Sequence, residues 1–193
     1  MTIVTACEYS GIVSRAFRDK GHFVISCDLD PSLDNSPFHI IGDCLQLLTQ
    51  YQPDMLIAFP PCTYLAKVQQ WQVNKYTSRF SCQIEAIKFF MSLYDYPCKY
   101  TCIENPAGYM NTHFRPPDMI IHPYMFGDPY RKEICLWTKN LPPLIHGSLS
   151  PGRKSVNNHC NSRMLQKEKS KIRSKFFPGI AAAMAEQWSN LNY

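Results

Sequence analysis

Short apolar runs alternate with stretches of helical apolar spacing through the first half of the chain. "TIVTA" (2–6) is β-branched and continuous, the pattern of a buried strand. "GIVSRAFRDKGH" then sets Ile12, Val13, Ala16 and Phe17 on one helical stripe and closes on Gly21 as a C-terminal cap. "FVISC" (23–27) is a second strand running into Asp28, and "FHIIG" (38–42) a third running into Asp43. "CLQLLTQY" returns as a helix and "DMLIAF" (54–59) is the fourth strand. After a polar, aromatic-rich loop, "SCQIEAIKFFMSLYDY" has the spacing of a helix facing a sheet, and "YTCIEN" (100–105) is the fifth strand. This alternation predicts an α/β fold: a Rossmann-like, doubly wound, mostly parallel sheet with right-handed crossovers.

Beyond residue 106 the pattern changes. "DMIIHPYMFG" and "KEICLWTKNLPPL" read as extended segments that pair as an antiparallel hairpin around "GDPY". The closing "PGIAAAMAEQWSNL" predicts an amphipathic helix, with proline in its first turn and Ile180, Ala183, Met184 and Trp188 on its apolar side.

Composition narrows the class. At 193 residues with ordinary apolar and charged fractions, the chain reads as one domain, 1–193, able to bury a proper core. No apolar run approaches the ~18 residues that span a bilayer, and "MTIVTACEYS" lacks the features of a signal peptide. The expectation is an intracellular, cytoplasmic protein with no membrane partner, or one in the host nucleus if its source is a virus. Nine cysteines, an odd count without a CxxC pair, read as reduced thiols, and histidines scattered without ligand spacing predict no metal site. The formal charge of +5 is unevenly spread: residues 153–175 hold eight Lys or Arg against one Glu, a local +7 that leaves −2 for the rest. This basic loop, within 144–175, reads either as a solvated segment or as the footprint of a polyanion.

In an open parallel sheet, ligands bind beyond the carboxyl ends of the strands. Those ends carry Cys7 and Glu8, Asp28 and Asp30, Asp43, Cys62 behind the "FPPC" turn, and Glu104 with Asn105. Adjacent prolines end the ladder and stiffen the turn that presents Cys62. Each position has a plain alternative: Asp43 can simply cap the next helix, and Cys62 can be corner packing. Asp28 lies about twenty residues past the first turn, where nucleotide-binding folds place an acid on ribose hydroxyls.

Taken in order, these segments resemble the cytosine-5 DNA methyltransferases, and among them the small phage-type proteins. "ACEYSGIVSRAF" is similar to the first cofactor motif, "CDLDP" to the acidic second and "GDC" to the third. "FPPC" resembles the nucleophile motif, and "ENP" the motif with the catalytic glutamate. "FGDPYRKEICLW" looks like a shortened form of the motif with arginines near the target base, and "FFPGIAAAMAEQW" sits where a terminal helix completes the cofactor pocket.

The resemblance implies the class I S-adenosylmethionine-dependent methyltransferase fold, S-adenosyl-L-methionine as cofactor, and DNA as partner. It implies methyl transfer to carbon 5 of cytosine. The Cys62 thiolate would add to carbon 6, turning a poor nucleophile into an enamine, while Glu104 holds or protonates ring nitrogen 3. Asn105 would orient the loop or the base edge, and Arg131 would contact the base or its phosphate. The cofactor positions would be Cys7, Glu8, Tyr9, Ser10 and Gly11, then Asp28 on the ribose with Leu29, Asp43 near the adenine amino group with Cys44, and Pro60. Nucleic-acid contacts would come from Lys132, Arg153, Lys154, Arg163, Lys167, Lys169, Lys171, Arg173 and Lys175. Carbon 6 is shielded in stacked duplex, so the base must be flipped out or already unpaired.

Three features depart from the family pattern. The first motif keeps only Gly11, the paired arginines are reduced to Arg131 and Lys132, and about thirty residues remain between "LPPL" and "FFPG", too few for an independent recognition domain. Two further readings therefore stay open beside DNA methylation, in which a partner protein could supply specificity. One is the same pocket acting on a free nucleotide or single-stranded nucleic acid. The other is a non-catalytic nucleic-acid-binding protein that retains the fold.

Replacing Lys167, Lys169, Lys171 and Arg173 together by glutamine should weaken binding to duplex DNA and lower the slope of log K against log salt by roughly one unit per lost phosphate contact. Fluorescence anisotropy over a salt series measures this, and an unchanged slope excludes the stretch as the footprint.

Overall fold

The structure, a computed structural model, describes residues 1–69, 77–147, 154–155 and 175–191. Its strands are β1 (Thr2–Ala6), β2 (Phe23–Asp28), β3 (His39–Ile41), β4 (Met55–Ala58), β5 (Tyr100–Asn105), β6 (Met119–Ile121), β7 (Tyr130–Arg131), β8 (Ile134–Lys139) and β9 (Lys154–Ser155). Its helices are α1 (Ile12–Asp19), α2 (Cys44–Tyr51), α3 (Thr77–Tyr94), α4 (Tyr109–His113) and α5 (Pro178–Trp188).

Seven strands form one sheet in the order β3-β2-β1-β4-β5-β8-β6. The first five are parallel, with Ile3 level with Val24 and Met55, and Ala58 level with Ile103. Strand β8 lies between β5 and β6 and runs antiparallel to both. Parallel strands are covered on both faces, which is why they appear in the sequence as unbroken apolar runs.

Alternate residues of each strand feed two cores, one on each side of the sheet. Ile3, Val24, Met55, Ile57 and Cys102 pack with Phe17 of α1 and with Ile180, Met184 and Trp188 of α5. Val4, Ile25, Leu56, Ala58 and Ile103 pack with Leu47 and Leu48 of α2 and with Phe90 and Leu93 of α3. The doubly wound arrangement expected from the sequence is present.

The helix ends follow local chemistry. Helix α1 stops where Gly21, at φ 84°, turns its N–H back to the Arg18 carbonyl at 2.8 Å. Asp43 caps α2 by accepting the Leu45 N–H at 2.9 Å. Asp128 does the same for α5, accepting the Gly179 N–H at 2.8 Å. A Cβ on Gly179 would lie 2.1 Å from the Phe126 carbonyl oxygen, so that close approach requires glycine.

Two details differ from the sequence pattern. The buried stripe of α5 is Ile180, Ala181, Met184, Ala185 and Trp188, with Ala183 only half-buried, because the helix packs against α1 as well as the sheet. The expected antiparallel pair forms, with Ile120 opposite Cys135, but the connection is not a tight hairpin. It holds a 3-10 turn, Pro123–Phe126, and the short strand β7, which pairs in parallel with β9.

Phe17 is fully buried, so Phe17→Ala should cost ~3–5 kcal/mol, whereas Asp43→Ala, which removes one exposed cap, should cost ~1 kcal/mol. Urea unfolding of the two variants checks both the ordering and the gap.

Candidate active site

The strand order reverses between β1 and β4, and open α/β sheets bind ligands in the crevice outside such a switch point. Strand β4 leaves the sheet there. The Phe59 N–H reaches the Ala6 carbonyl at 2.9 Å, and Pro60 and Pro61 then offer no donor. Cys62 follows, exposed, at the start of a turn in which the Leu65 and Ala66 amides bond to its carbonyl at 3.0 and 2.9 Å.

Glu104 and Asn105 end the neighbouring strand, β5. Both are buried, at 8% and 1% exposure, and both are short of partners: Glu104 Oε1 and Asn105 Oδ1 have no hydrogen bond among the described residues. An unpaired buried carboxylate is costly, and burial pushes the Glu104 carboxyl above its ordinary range, while the Lys132 ammonium draws it back. The amide of Asn105 is committed, since Nδ2 donates to the Pro60 carbonyl at 2.8 Å and to the Glu104 carbonyl at 3.2 Å. It thus ties the Cys62 turn to the strand that carries Glu104.

Three further contacts fasten the two loops. The Lys67 amide bonds to the Ala107 carbonyl at 3.0 Å, the Tyr109 amide to the Leu65 carbonyl at 2.7 Å, and Ala66 bridges to Gly108. A Cβ on Gly108 would lie 1.9 Å from the Leu65 oxygen, so no other residue fits.

The turn after β1 is built differently from a glycine-rich ligand cradle. Cys7 takes a left-handed conformation, φ 57°, and Glu8 turns inward at 3% exposure. The Glu8 carboxylate accepts from the Ser10 hydroxyl at 2.9 Å, from the Val13 and Ser14 amides at 3.1 and 3.3 Å, and from the Ser14 hydroxyl. It therefore neutralises the N-terminus of α1, whose cap residue, Gly11, has no side chain to do so. Tyr9 and Ser10 are buried, the Tyr9 carbonyl accepts from the Leu33 amide at 2.9 Å, and a Cβ on Gly11 would fall 2.4 Å from the Asp34 carboxylate. Only Cys7 of this group is partly open.

The acidic positions line the same edge. Asp28 is half-buried, accepts the Asp30 amide at 3.0 Å, and has its carboxyl raised by burial; beside it Leu29 is 81% exposed. Asp43 is exposed at its cap position, and buried Cys44 sets its sulfur 4.0 Å from that of Cys7. That contact pushes the Cys7 thiol up and the Cys44 thiol down. Pro60 is buried, with its carbonyl taken by Asn105.

On the basic side, Arg131 is exposed and lies level with Ser155 in the β7–β9 pair, which brings the start of the basic stretch beside it. Lys132 is half-buried, with its ammonium 5.6 Å from the centroid of the Phe177 ring. Lys154 pairs with Tyr130 through its backbone, and Lys175 is exposed. Arg153, Arg163, Lys167, Lys169, Lys171 and Arg173 lie outside the described residues. Among the described residues no cysteines are joined, no three His, Cys, Asp or Glu side chains could hold a metal ion, and no helix is long and apolar enough to cross a membrane.

Sequence reasoning missed two contributions. One is the action of Lys132 on Glu104, which needs tertiary proximity. The other is Gln83, a buried polar residue on the inward stripe of α3 together with Phe90 and Leu93. Its one signal was a glutamine at an apolar position of the helix.

No family model matches the chain, and no curated protein matches it. Solved structures do. A prophage-encoded candidate DNA modification methyltransferase of E. coli superposes with a TM-score of 0.50 at 12% identity, over 86% of this chain and 56% of that one. The methyltransferase EhMeth of Entamoeba histolytica gives 0.47 at 11% identity, over 86% and 62%, and a variant of Spodoptera frugiperda DNMT2 gives 0.45 at 11%, over 86% and 61%. The chain spans a little over half the length of the first of these. The likeness is one of fold: the seven-stranded, mostly parallel sheet is that of a methyltransferase-fold protein.

A carboxyl raised by burial keeps its proton in the folded state over a pH range where the unfolded chain has released it. Stability therefore falls as pH rises from the ordinary carboxyl range toward the native value of Glu104. Glu104→Gln removes that dependence. The variant should be more stable than the parent at neutral pH, with the gap closing toward pH ~4, as urea unfolding over a pH series will measure.

Proposed function

We propose that the chain is an S-adenosylmethionine-dependent methyltransferase acting on carbon 5 of cytosine in DNA. One observation carries the reading. A buried carboxyl with an unpartnered oxygen, Glu104, ends the strand that the Asn105–Pro60 bond ties to the rigid Pro-Pro turn carrying an exposed cysteine, Cys62. A thiol and a protonated acid on adjoining strand ends suit addition to an electron-poor ring. The Cys62 thiolate attacks carbon 6 while Glu104, protonated, donates to ring nitrogen 3 and neutralises the charge arriving there. Carbon 5 then becomes nucleophilic. With the methyl group on carbon 5, loss of the carbon 5 proton, expulsion of Cys62 and return of the nitrogen 3 proton to Glu104 would restore the ring. Arg131 and Lys132 would meet the base or its phosphate. The prophage neighbour's DNA-modifying description and the basic stretch support DNA as the partner.

The acids and apolar surface at the strand ends fit the nucleoside half of the cofactor. Asp28 offers an acceptor for ribose hydroxyls, exposed Leu29 an apolar face for adenine, and Asp43 an acceptor near its amino group. The α1 N-terminus is already filled by Glu8, so the amino-acid half would be met at the rim around Cys7. When bound, S-adenosylmethionine supplies the electrophilic methyl group.

5-Fluorocytosine in DNA tests this, because fluorine at carbon 5 cannot leave as the proton does and the Cys62 adduct persists. With S-adenosylmethionine present, the protein should form a complex that survives denaturation. Cys62→Ser should abolish it, and Glu104→Gln should slow it by ~10²–10⁴-fold. An adduct with the free nucleotide but not with DNA moves the substrate. DNA binding without any S-adenosylmethionine binding in calorimetry leaves a non-catalytic binder.

A further inference from the structure

Helix α3 grips the residue two places beyond Cys62 from three positions. The Gln83 side chain, 4% exposed, donates from Nε2 to the main-chain carbonyl of Tyr64 at 2.9 Å. The Arg79 guanidinium carbon lies 5.9 Å from the centroid of the Tyr64 ring, and the Cys82 thiol is hydrogen-bonded to the Tyr64 hydroxyl, which holds that hydroxyl's pKa up. Positions 79, 82 and 83 are related by i, i+3 and i+4, so they share one helix face.

These contacts are unequal. Arg79 is half-buried and Cys82 exposed, so water competes with what they do. The Gln83 bond is shielded, and a polar amide on an inward helix face is costly unless its hydrogen bonds are made. The turn it holds has no sheet ladder. The prolines fix φ at residues 60 and 61, and beyond them the chain runs as a lone turn closed on the Cys62 carbonyl. One side is stitched to the loop after β5 at Leu65, Ala66 and Lys67. Tyr64, between those stitches and the thiol, is fastened to α3.

We infer that Gln83 is a positioning residue: by holding the Tyr64 carbonyl it fixes the direction of the Cys62 thiol relative to Glu104. This rests on Cys62 being the nucleophile of the proposed reaction. Attack on a ring carbon tolerates little misalignment, and displacement by about 1 Å can cost on the order of 10²-fold in rate.

Gln83→Met and Gln83→Glu test the assignment. Met fills the same volume without a donor and suits a buried helix position, so the fold should persist. Glu donates only when protonated, and burial moves its ionisation to higher pH. Adduct formation with 5-fluorocytosine DNA by the parent sets the reference pH profile, rising as the thiol ionises and falling as Glu104 loses its proton. Gln83→Met should be slower by on the order of 10²-fold at every pH. The rate of Gln83→Glu divided by that of the parent should approach one at low pH and fall as the new carboxyl ionises, with S-adenosylmethionine affinity unchanged in both. A purely structural role would leave that ratio the same at every pH.

Hydrogen exchange of the Leu65 and Ala66 amides, which bond to Cys62, gives a readout independent of the chemistry. It should quicken in Gln83→Met, and in Gln83→Glu only above the carboxyl's ionisation. If the parent forms no adduct but exchange responds in this way, Gln83 stands as the fastening of the turn and the nucleophile reading fails. If both variants form the adduct like the parent across the pH series, whatever their exchange, the inference is overturned.

Discussion

The hydrogen bond from the Asn105 amide to the Pro60 carbonyl is the contact on which the geometry of the site depends. Two prolines remove the donors that would have continued the β4 ladder, so the main chain alone cannot keep the turn in register with β5. A side chain takes over that task. The same amide also donates to the Glu104 carbonyl, so it holds the turn and the end of β5 together. One amide therefore sets where the turn begins relative to the strand that carries the carboxyl.

Around that contact the charges are arranged by distant parts of the chain. Burial and Lys132 pull the Glu104 carboxyl in opposite directions. Lys132 rides on the segment between β7 and β8 and lies over Phe177, at the start of α5. Helix α5 is itself pinned by Asp128, from the loop before β7. The terminal helix and the β6–β8 connection thus converge on one ammonium group, and through it on the carboxyl at the end of β5. The two cores hold this assembly from opposite faces of the sheet.

Much of this was legible in the sequence because parallel strands buried on both faces leave a plain trace. β1, β2, β4 and β5 appear as apolar runs, α1 and α2 as stripes between them, and the strand-end acids fall where an open sheet places ligands. Cys62, Glu104 and Asn105 could be singled out by position alone. Less was legible where tertiary contact overrides local pattern. Helix α4 is five residues, too short to show a period. Pairing of the segments that became β6 and β8 could be foreseen, but the insertion of β8 beside β5 could not, since periodicity does not name a strand's second neighbour. Glu8 was a cofactor position through the resemblance of the first motif, and no local pattern signals that its carboxylate turns back onto the Val13 and Ser14 amides. Gln83 looked like a break in an apolar stripe, because its partner is a carbonyl nineteen positions away.

The inward carboxylate of Glu8 has a consequence for how a ligand would meet this edge of the sheet. Glycine-rich turns leave room for a guest's negative group at the start of a helix, and they gain full order only when the guest arrives. Here the negative group is tethered to the chain and cannot dissociate, so the local order it brings is present from the moment of folding. A guest then spends none of its binding energy on organising the turn, which is the advantage of preorganisation. With no foreign anion to admit, the close backbone approach that several glycines provide is not required, and a single Gly11 suffices.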